Sequence, residues 1–150
     1  IMGQDVVFVG GGNTKSMLAV WIDWGMNNIL KHAYNKGIIM SGVSAGAICW
    51  FTRGITDSWD NKLQILPCLN FIEGTCCPHY DEEPSRIPYV RKILIEKQVK
   101  NCIAIEGGSA LHIVDGQSFR NISFKNNKNS YNVYCKNNEI IKKPYSMLQL

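Results

Sequence analysis

The sequence predicts an α/β fold, with a mostly parallel central sheet and a small antiparallel end. Continuous apolar runs at residues 5–9, 38–40 and 103–105 are typical of buried parallel strands. Helical patterns lie between these runs, and alternating strands and helices favour a parallel sheet. A chain of 150 residues is long enough for one domain with its own core. We therefore expect residues 1–150 to form a single domain.

The helices and strands of the first half follow from their apolar periodicity. Helical patterns cover residues 15–22, 26–35 and 47–51. Extended pieces cover residues 38–40, 63–67 and 70–74. Gly25 separates the first two helices and Gly37 ends the second, as glycine often does after a helix. Residues 52–61 are polar, which predicts a turn.

The second half is expected to hold one helix and a series of strands. Residues 85–100 form an amphipathic pattern, with Ile87, Val90, Leu94 and Val99 on its apolar side. Strand-like pieces cover residues 103–105, 110–114, 118–124, 131–136 and 139–142. Asp115-Gly116 is a hairpin signal. The last strands alternate with Asn/Lys-rich turns, so the antiparallel end of the sheet is expected here.

Composition excludes several classes of protein. The hydrophobic fraction of 45% and net charge of +4 are those of a globular protein, and the cations form no basic stripe. No apolar run approaches the length of a membrane span, and no signal peptide opens the chain. The six cysteines lie mostly in apolar segments, which favours reduced thiols. We expect a cytoplasmic protein that binds neither nucleic acid nor membranes.

A G-x-S-x-G motif, Gly42-Val43-Ser44-Ala45-Gly46, follows the strand at 38–40 and precedes a helical run. Between a strand and a helix, this motif indicates a nucleophile elbow with an exposed, strained serine. The alternative is a small-residue turn that packs the strand against the helix. Ser44 is therefore a candidate nucleophile whose standing depends on a base and an acid elsewhere.

A second glycine-rich loop, Gly10-Gly11-Gly12-Asn13-Thr14, joins the first strand to the first helix. It lacks the third glycine of G-x-G-x-x-G and the Gly-Lys-Ser/Thr of a P-loop, which argues against nucleotide binding. Such a loop can also present backbone N–H groups to an oxyanion, or serve only as a tight turn.

His79 is the preferred base among the three histidines, because it follows Pro78 where an extended segment meets a polar loop. His32 reads as a surface residue and His112 as a packed or rim residue of a strand. Glu106 ends a buried strand, at the sheet edge where ligands of open α/β sheets bind, so it is the first candidate for the acid. Asp57, in a polar loop nearer the serine, is the alternative.

The sequence resembles the peptidase E (alpha-aspartyl dipeptidase) family of serine peptidases. The matching segments are Gly10-Gly11-Gly12-Asn13-Thr14, Gly42-Val43-Ser44-Ala45-Gly46-Ala47, Pro78-His79 and Ile105-Glu106-Gly107. The resemblance implies a three-layer sandwich like that of the class I glutamine amidotransferases, with a mostly parallel central sheet. Members of this family carry further strands and helices before the first glycine loop, so the chain is expected to be N-terminally incomplete.

The resemblance also implies the roles of the site residues. Ser44 would be the nucleophile, His79 the base and Glu106 the orienting acid, with Asp57 as the alternative third member. The oxyanion hole would use backbone N–H groups of Ala45 with Gly11 or Gly12. Asn13 and Arg86 are the candidate substrate-binding residues, Arg86 through a substrate carboxylate. The substrate would be a small peptide, with N-terminal aspartate as one option, and a homodimer is one option for the assembly. No metal or cofactor is expected.

Other functions account for the sequence less well. A glutamine amidotransferase would use cysteine in place of Ser44. An α/β-hydrolase esterase would fit the order Ser44, Asp57, His79, but the chain is too short for that fold. Cys76, Cys77, His79 and Asp81 match no structural zinc spacing. An inactive homologue that serves as a binding module is the remaining alternative.

Overall fold

The computed structural model describes residues 1–60 and 62–148 and divides into two compact units, Ile1–Glu73 and Gly74–Leu150. Both units contain helices and strands, which confirms the α/β class. No helix within these described ranges is long and apolar enough to cross a membrane. The expectation of one domain over residues 1–150 stays a prediction.

The first unit begins with alternating strands and helices. Its elements are β1 (Val6–Val9), α1 (Thr14–Asp23), α2 (Met26–Asn35), β2 (Ile39–Gly42), α3 (Ala45–Ile48), β3 (Phe51–Thr56) and β4 (Gln64–Pro67). β1 and β2 are parallel, whereas β3 and β4 form an antiparallel pair. The break at Gly25 is confirmed, because this residue adopts a φ of 71° between the two helices.

The β1–β2 pair covers the core of the first unit with one face only. Val7, Val9 and Met40 pack against buried Leu18, Leu30, Cys49 and Trp50. The opposite face exposes Val6 by 49%, Phe8 by 66% and Ile39 by 60%. The expectation of a strand buried on both faces is therefore wrong for β1, because no described residue covers its outer side chains.

The polar turn expected at 52–61 is also wrong over its first half, whereas residues 58–60 do form a turn. β3 occupies Phe51–Thr56, and Gly54, Ile55 and Thr56 are buried in it. The strand accommodates its polar residues, because the Thr52 hydroxyl donates to the Asn70 side chain at 2.7 Å and Arg53 is exposed. Asn61, the last residue of that expected turn, lies outside the described residues.

The second unit combines one helix with several strands. Its elements are β5 (Ile72–Cys77), which starts at the end of the first unit, α4 (Arg86–Ile95), β6 (Asn101–Ile105), β7 (Ser109–Val114), β8 (Ser118–Ser123), β9 (Ser130–Lys136) and β10 (Glu139–Pro144). β5 and β6 are parallel, and β6, β9 and β10 follow as antiparallel neighbours. β7 and β8 form the hairpin that Asp115-Gly116 predicted.

α4 is shorter than the expected helix at 85–100. It ends at Ile95 because Lys97 adopts a left-handed φ of 55°, and the next N–H, of Gln98, returns to the carbonyl of Ile93. Val90, Ile93 and Leu94 are buried, whereas Ile87 is 48% exposed.

The strand pairs of the protein are partly parallel and partly antiparallel, and the expected antiparallel end is confirmed.

Candidate active site

Ser44 sits in a strained turn between β2 and α3. Its φ of 54° and ψ of −114° lie outside the regions that L-residues ordinarily adopt. Strain of this kind costs about 1–3 kcal/mol and persists only where the surroundings enforce it. The strand–turn–helix context that the G-x-S-x-G motif requires is present.

Gly42 and Gly46 enforce this turn by close backbone contact. A Cβ on Gly42 would overlap the carbonyl of Gly46 and lie 2.7 Å from the carbonyl oxygen of Val9. A Cβ on Gly46 would overlap the same Val9 carbonyl and lie 2.7 Å from the Val9 Cβ. The two glycines therefore let α3 begin directly against the end of β1.

The first glycine-rich loop passes beside Ser44. A Cβ on Gly11 would lie 3.5 Å from the Ser44 Cβ, and Gly12 adopts a φ of 149° that favours glycine. Ala45 opens α3, where a backbone N–H has no acceptor inside the helix. The residues named for the oxyanion hole are thus brought to the candidate nucleophile within one unit.

Asn13 holds this loop in place. Its side-chain oxygen accepts the N–H of Ser16 at 2.9 Å and caps α1, while its amide nitrogen donates to the Ser58 carbonyl at 2.6 Å. Thr14 is buried beside Thr56, with their hydroxyls 3.5 Å apart. The Asn13 amide therefore holds the loop to α1 and to Ser58, and its contact with substrate stays a prediction.

His79 also occupies a strained backbone position. Its φ is 52°, and the carbonyl of His79 accepts the N–H groups of Glu82 and Glu83 at 3.1 and 3.2 Å. This tight turn brings the Glu82 carboxylate to the imidazole, where Nδ1 and Oε2 are 2.8 Å apart. The two side chains are 31% and 50% exposed.

Asp81 ties the His79 turn to the segment that follows β6. Its carboxylate accepts the Gly107 N–H at 2.8 Å and pairs with Lys128. The backbone N–H of Tyr80 donates to the Ile105 carbonyl at 3.0 Å. Burial opposes the charge of Asp81, but the hydrogen bonds from Lys128 and Gly107 outweigh it and lower the pKa of this carboxyl below 3.8.

Glu106 is nearly buried in a different set of contacts. Its Oε1 lies 3.1 Å from the ammonium of Lys142, and its Oε2 accepts the Asn129 N–H at 3.1 Å and faces the Tyr131 hydroxyl at 3.4 Å. Lys142 also lies 3.7 Å from the Tyr131 ring centroid. These contacts join the end of β6 to β9 and β10.

Comparison with known proteins gives the relationship of the whole chain. The sequence model of Peptidase family S51 matches residues 1–121. The chain belongs to peptidase family S51. This confirms the family predicted from the two glycine motifs.

The chain is also similar to a protein whose name identifies it only as a peptidase. The chain is 40% identical over 144 residues to the "Uncharacterized peptidase YgaJ" of Bacillus subtilis (strain 168). The match covers 96% of this chain and 62% of that protein. The chain thus spans less than two thirds of the length of this relative.

Asp57 and Arg86 differ in their surroundings. Asp57 is exposed directly after β3. Arg86 is 3% exposed, and its Nε donates to the Glu83 carboxylate at 2.7 Å. Burial opposes the Arg86 charge, but Glu83 and Cys77 outweigh it and raise the pKa of the guanidinium. The expected role of Arg86, binding a substrate carboxylate, is therefore at odds with a buried ion pair at the start of α4.

Sequence reasoning missed Glu82, which lies in the polar loop that follows His79. The signal that could have found it is the spacing of three residues between His79 and Glu82 within a turn. Of the other two histidines, His32 is exposed, as expected, and His112 is also exposed, which agrees with the rim alternative and not with the packed one. Among the described residues, no group of three or more His, Cys, Asp and Glu side chains could hold a metal ion.

Proposed function

We propose that this family S51 chain is a serine-type peptidase that hydrolyses small peptides through an acyl-enzyme. The observation that carries the proposal is the backbone of Ser44, whose φ of 54° is enforced by glycines on both sides. Strain of this kind is expected at a nucleophile whose hydroxyl must face a substrate. A mere packing turn would be made more simply by an unstrained residue.

In this mechanism the Ser44 hydroxyl attacks the carbonyl carbon of the peptide bond. The His79 imidazole accepts the Ser44 proton and then gives it to the leaving amine, and water hydrolyses the resulting ester by the same route. The N–H groups of Ala45 and of Gly11 or Gly12 stabilise the oxyanion of each tetrahedral intermediate. A carboxylate holds the imidazole; the family resemblance assigns this role to Glu106, with Asp57 as the alternative.

The substrate class follows from the resemblance alone. Dipeptides with N-terminal aspartate are the first substrates to test, and the burial of Arg86 leaves the recognition of their carboxylate to other residues. The finer fold expectation belongs to the same proposal: a three-layer sandwich of the class I glutamine amidotransferase type. We likewise propose a cytoplasmic location and no cofactor; a homodimer remains the candidate assembly.

The test compares Ser44→Ala with a control, Ser41→Ala, in the preceding strand β2. Hydrolysis of Asp-Leu should fall by about 10³-fold or more in Ser44→Ala and stay within about twofold in Ser41→Ala. Circular dichroism should be unchanged in both variants. Equal turnover by Ser44→Ala and the unmodified chain would rule out Ser44 as the nucleophile.

A binding module without turnover is the second candidate. The exposed apolar face of β1 and β2, with Phe8 66% exposed, is the observation that favours it, because such faces often contact other molecules. This function predicts no hydrolysis by the unmodified chain and no effect of Ser44→Ala on any measured rate.

A further inference from the structure

The segment at residues 56–59 bonds to the end of the first glycine-rich loop, and we propose that Ser58 in this segment positions the loop for its part in the oxyanion hole. The inference rests on the proposed function, in which Ser44 is the nucleophile and an N–H of Gly11 or Gly12 stabilises the oxyanion. Ser58 acts through the loop and does not contact the substrate. All of these residues lie within the first unit.

The first contact joins the Ser58 backbone to the Asn13 side chain. The amide nitrogen of Asn13 donates to the Ser58 carbonyl at 2.6 Å, which is close for an N–H···O hydrogen bond. The oxygen of the same side chain accepts the Ser16 N–H at 2.9 Å. Because Asn13 directly follows Gly12, this bond ties the end of the glycine-rich loop to Ser58.

The second contact joins the Ser58 hydroxyl to the start of α1. The Lys15 N–H donates to the Ser58 Oγ at 3.3 Å. This N–H lies in the first turn of the helix, where no acceptor exists inside the helix itself. The start of α1 is thus capped from two sides, by Asn13 within the loop and by Ser58 from outside it.

The end of β3 holds Ser58 in the place that both contacts need. The Thr56 Oγ1 lies 2.7 Å from the Ser58 Oγ and accepts the Ser58 N–H at 3.2 Å. Thr56 is itself buried, with its hydroxyl 3.5 Å from that of buried Thr14. The Lys15 ammonium adds a contact, 4.4 Å from the centroid of the Trp59 ring. Ser58 therefore reaches the loop from the end of a buried strand.

The loop needs such support because its glycines cannot be packed in place. A Cβ at Gly10 or Gly12 would meet no described atom within 4 Å, whereas a Cβ at Gly11 would lie 3.5 Å from the Ser44 Cβ. A donor of an oxyanion hole acts only at about 2.7–3.1 Å from the oxyanion, and loss of one donor lowers kcat by about 10²–10³-fold. A loop that shifts by a fraction of an ångström gives up part of this factor.

The kinetic test uses Ser58→Ala, Ser58→Thr and a control, Ser16→Ala. Ser16 is an exposed residue of α1, and its N–H bond to Asn13 stays intact in the control. Ser58→Ala should lower kcat on Asp-Leu by about five- to tenfold with KM changed by less than about twofold. Ser58→Thr keeps the hydroxyl and should recover most of the loss, and Ser16→Ala should change neither constant. A kcat of Ser58→Ala within about twofold of the unmodified chain would overturn the proposal.

An analogue of the tetrahedral intermediate separates the position of the loop from general damage to the site. The Ser44 oxygen adds to the carbon of the α-aldehyde of aspartate, the serine proton passes to His79, and the former carbonyl oxygen takes the negative charge in the oxyanion hole. The Ki of this aldehyde should rise in Ser58→Ala by the factor by which kcat/KM falls, and the Ki of free aspartate should change by less than about twofold. An equal rise of both Ki values would contradict the proposal.

Asp57 offers another route by which a change at Ser58 could lower the rate, because it precedes Ser58 and is the alternative acid. The double variant Asp57→Asn with Ser58→Ala distinguishes the two routes. If Ser58 acts through the loop, its fold-loss in kcat should multiply that of Asp57→Asn, as expected for independent sites. A double variant no slower than Asp57→Asn alone would show that Ser58 acts through Asp57, which contradicts the proposal.

Nitrogen-15 relaxation of the backbone gives a readout that needs no turnover. The order parameters of the Gly11 and Gly12 amides should fall in Ser58→Ala by at least about 0.1 from the rigid value of about 0.85, and stay unchanged in Ser16→Ala. Unchanged order parameters in Ser58→Ala would overturn the proposal. If the unmodified chain has no peptidase activity, the proposed function fails while this measurement still decides whether Ser58 holds the loop.

Discussion

Ser44 and His79 both adopt a positive φ, but different contacts hold the two turns. Their φ angles are 54° and 52°, and neither residue is glycine. The Ser44 turn is enforced by glycines that let backbone segments touch, Gly42 against Gly46 and Gly46 against Val9. The His79 turn is closed by backbone hydrogen bonds and is held in addition by charged side chains, among them Asp81 with Lys128.

The difference predicts how each of the two turns responds to pH and salt. Steric contact between backbone atoms does not depend on pH or salt, so the Ser44 turn should persist until the unit unfolds. Ion pairs of partly exposed side chains are weakened by salt and by protonation of the carboxylate. The Ser44 turn should therefore be the less adjustable of the two turns, and the His79 turn the more adjustable one.

Disrupting the Ser44 turn should have the largest effect on stability. Gly46→Ala places a methyl against the Val9 carbonyl, so either α3 or β1 must move, and the free energy of unfolding should fall by about 3 kcal/mol. Gly10→Ala is the matched control, because a Cβ at Gly10 meets nothing within 4 Å. Urea denaturation measures both variants, and a stable Gly46→Ala would show that the turn has room to spare.

Glu106 should give the next largest effect, since it is nearly buried with three partners. Glu106→Gln leaves Lys142 without its carboxylate, and we expect the free energy of unfolding to fall by about 1–3 kcal/mol. Glu139→Gln, an exposed acid at the start of β10, should change it by less than about 0.5 kcal/mol. Equal losses from the two variants would contradict the structural role of Glu106.

A variant at Asp81 tests whether the stability of the His79 turn depends on pH. The pKa of Asp81 is lowered from 3.8 in the folded protein. The stability that its charge adds is therefore fully present above pH 3.8 and is lost as the pH falls through the folded-state pKa. Asp81→Asn should lower the free energy of unfolding at pH 7 by about 1 kcal/mol. Below the folded-state pKa the variant and the unmodified chain should unfold alike; a constant difference across this range would contradict the prediction.

The outer face of β1 and β2 should give the smallest change in stability. Phe8 is 66% exposed, so Phe8→Gln should alter the free energy of unfolding by less than about 0.5 kcal/mol. The same variant should lower the fluorescence of the apolar dye ANS, because Val6, Phe8 and Ile39 share one face. Phe124→Gln is the control at a residue that is 73% exposed in the other unit. A larger loss of dye fluorescence in the control would contradict this prediction.

The local parts of the site were accessible from sequence. Five consecutive residues specify the Ser44 turn. The glycines of that motif allow backbone segments to approach each other closely. The same holds for the Gly11–Gly12 loop. Both were predicted because no distant contact is needed to specify them.

The parts that depend on tertiary context were not accessible. The contact between His79 and Glu82 depends on a left-handed His79 and on the space above Gly107, which the three-residue spacing alone does not reveal. The exposed face of β1 was missed for a similar reason. An apolar run shows that a strand could be buried on both faces, but not whether anything covers the second face.

The central claim is that Ser44 is a nucleophile, and a fluorophosphonate probe tests it most directly. The probe forms a covalent bond with an activated serine oxygen, and peptide mass spectrometry locates the modified residue. We predict one labelled serine, Ser44, with labelling lost in Ser44→Ala and retained in Ser41→Ala. No labelling of the folded, unmodified chain, or labelling at another serine, would contradict the account.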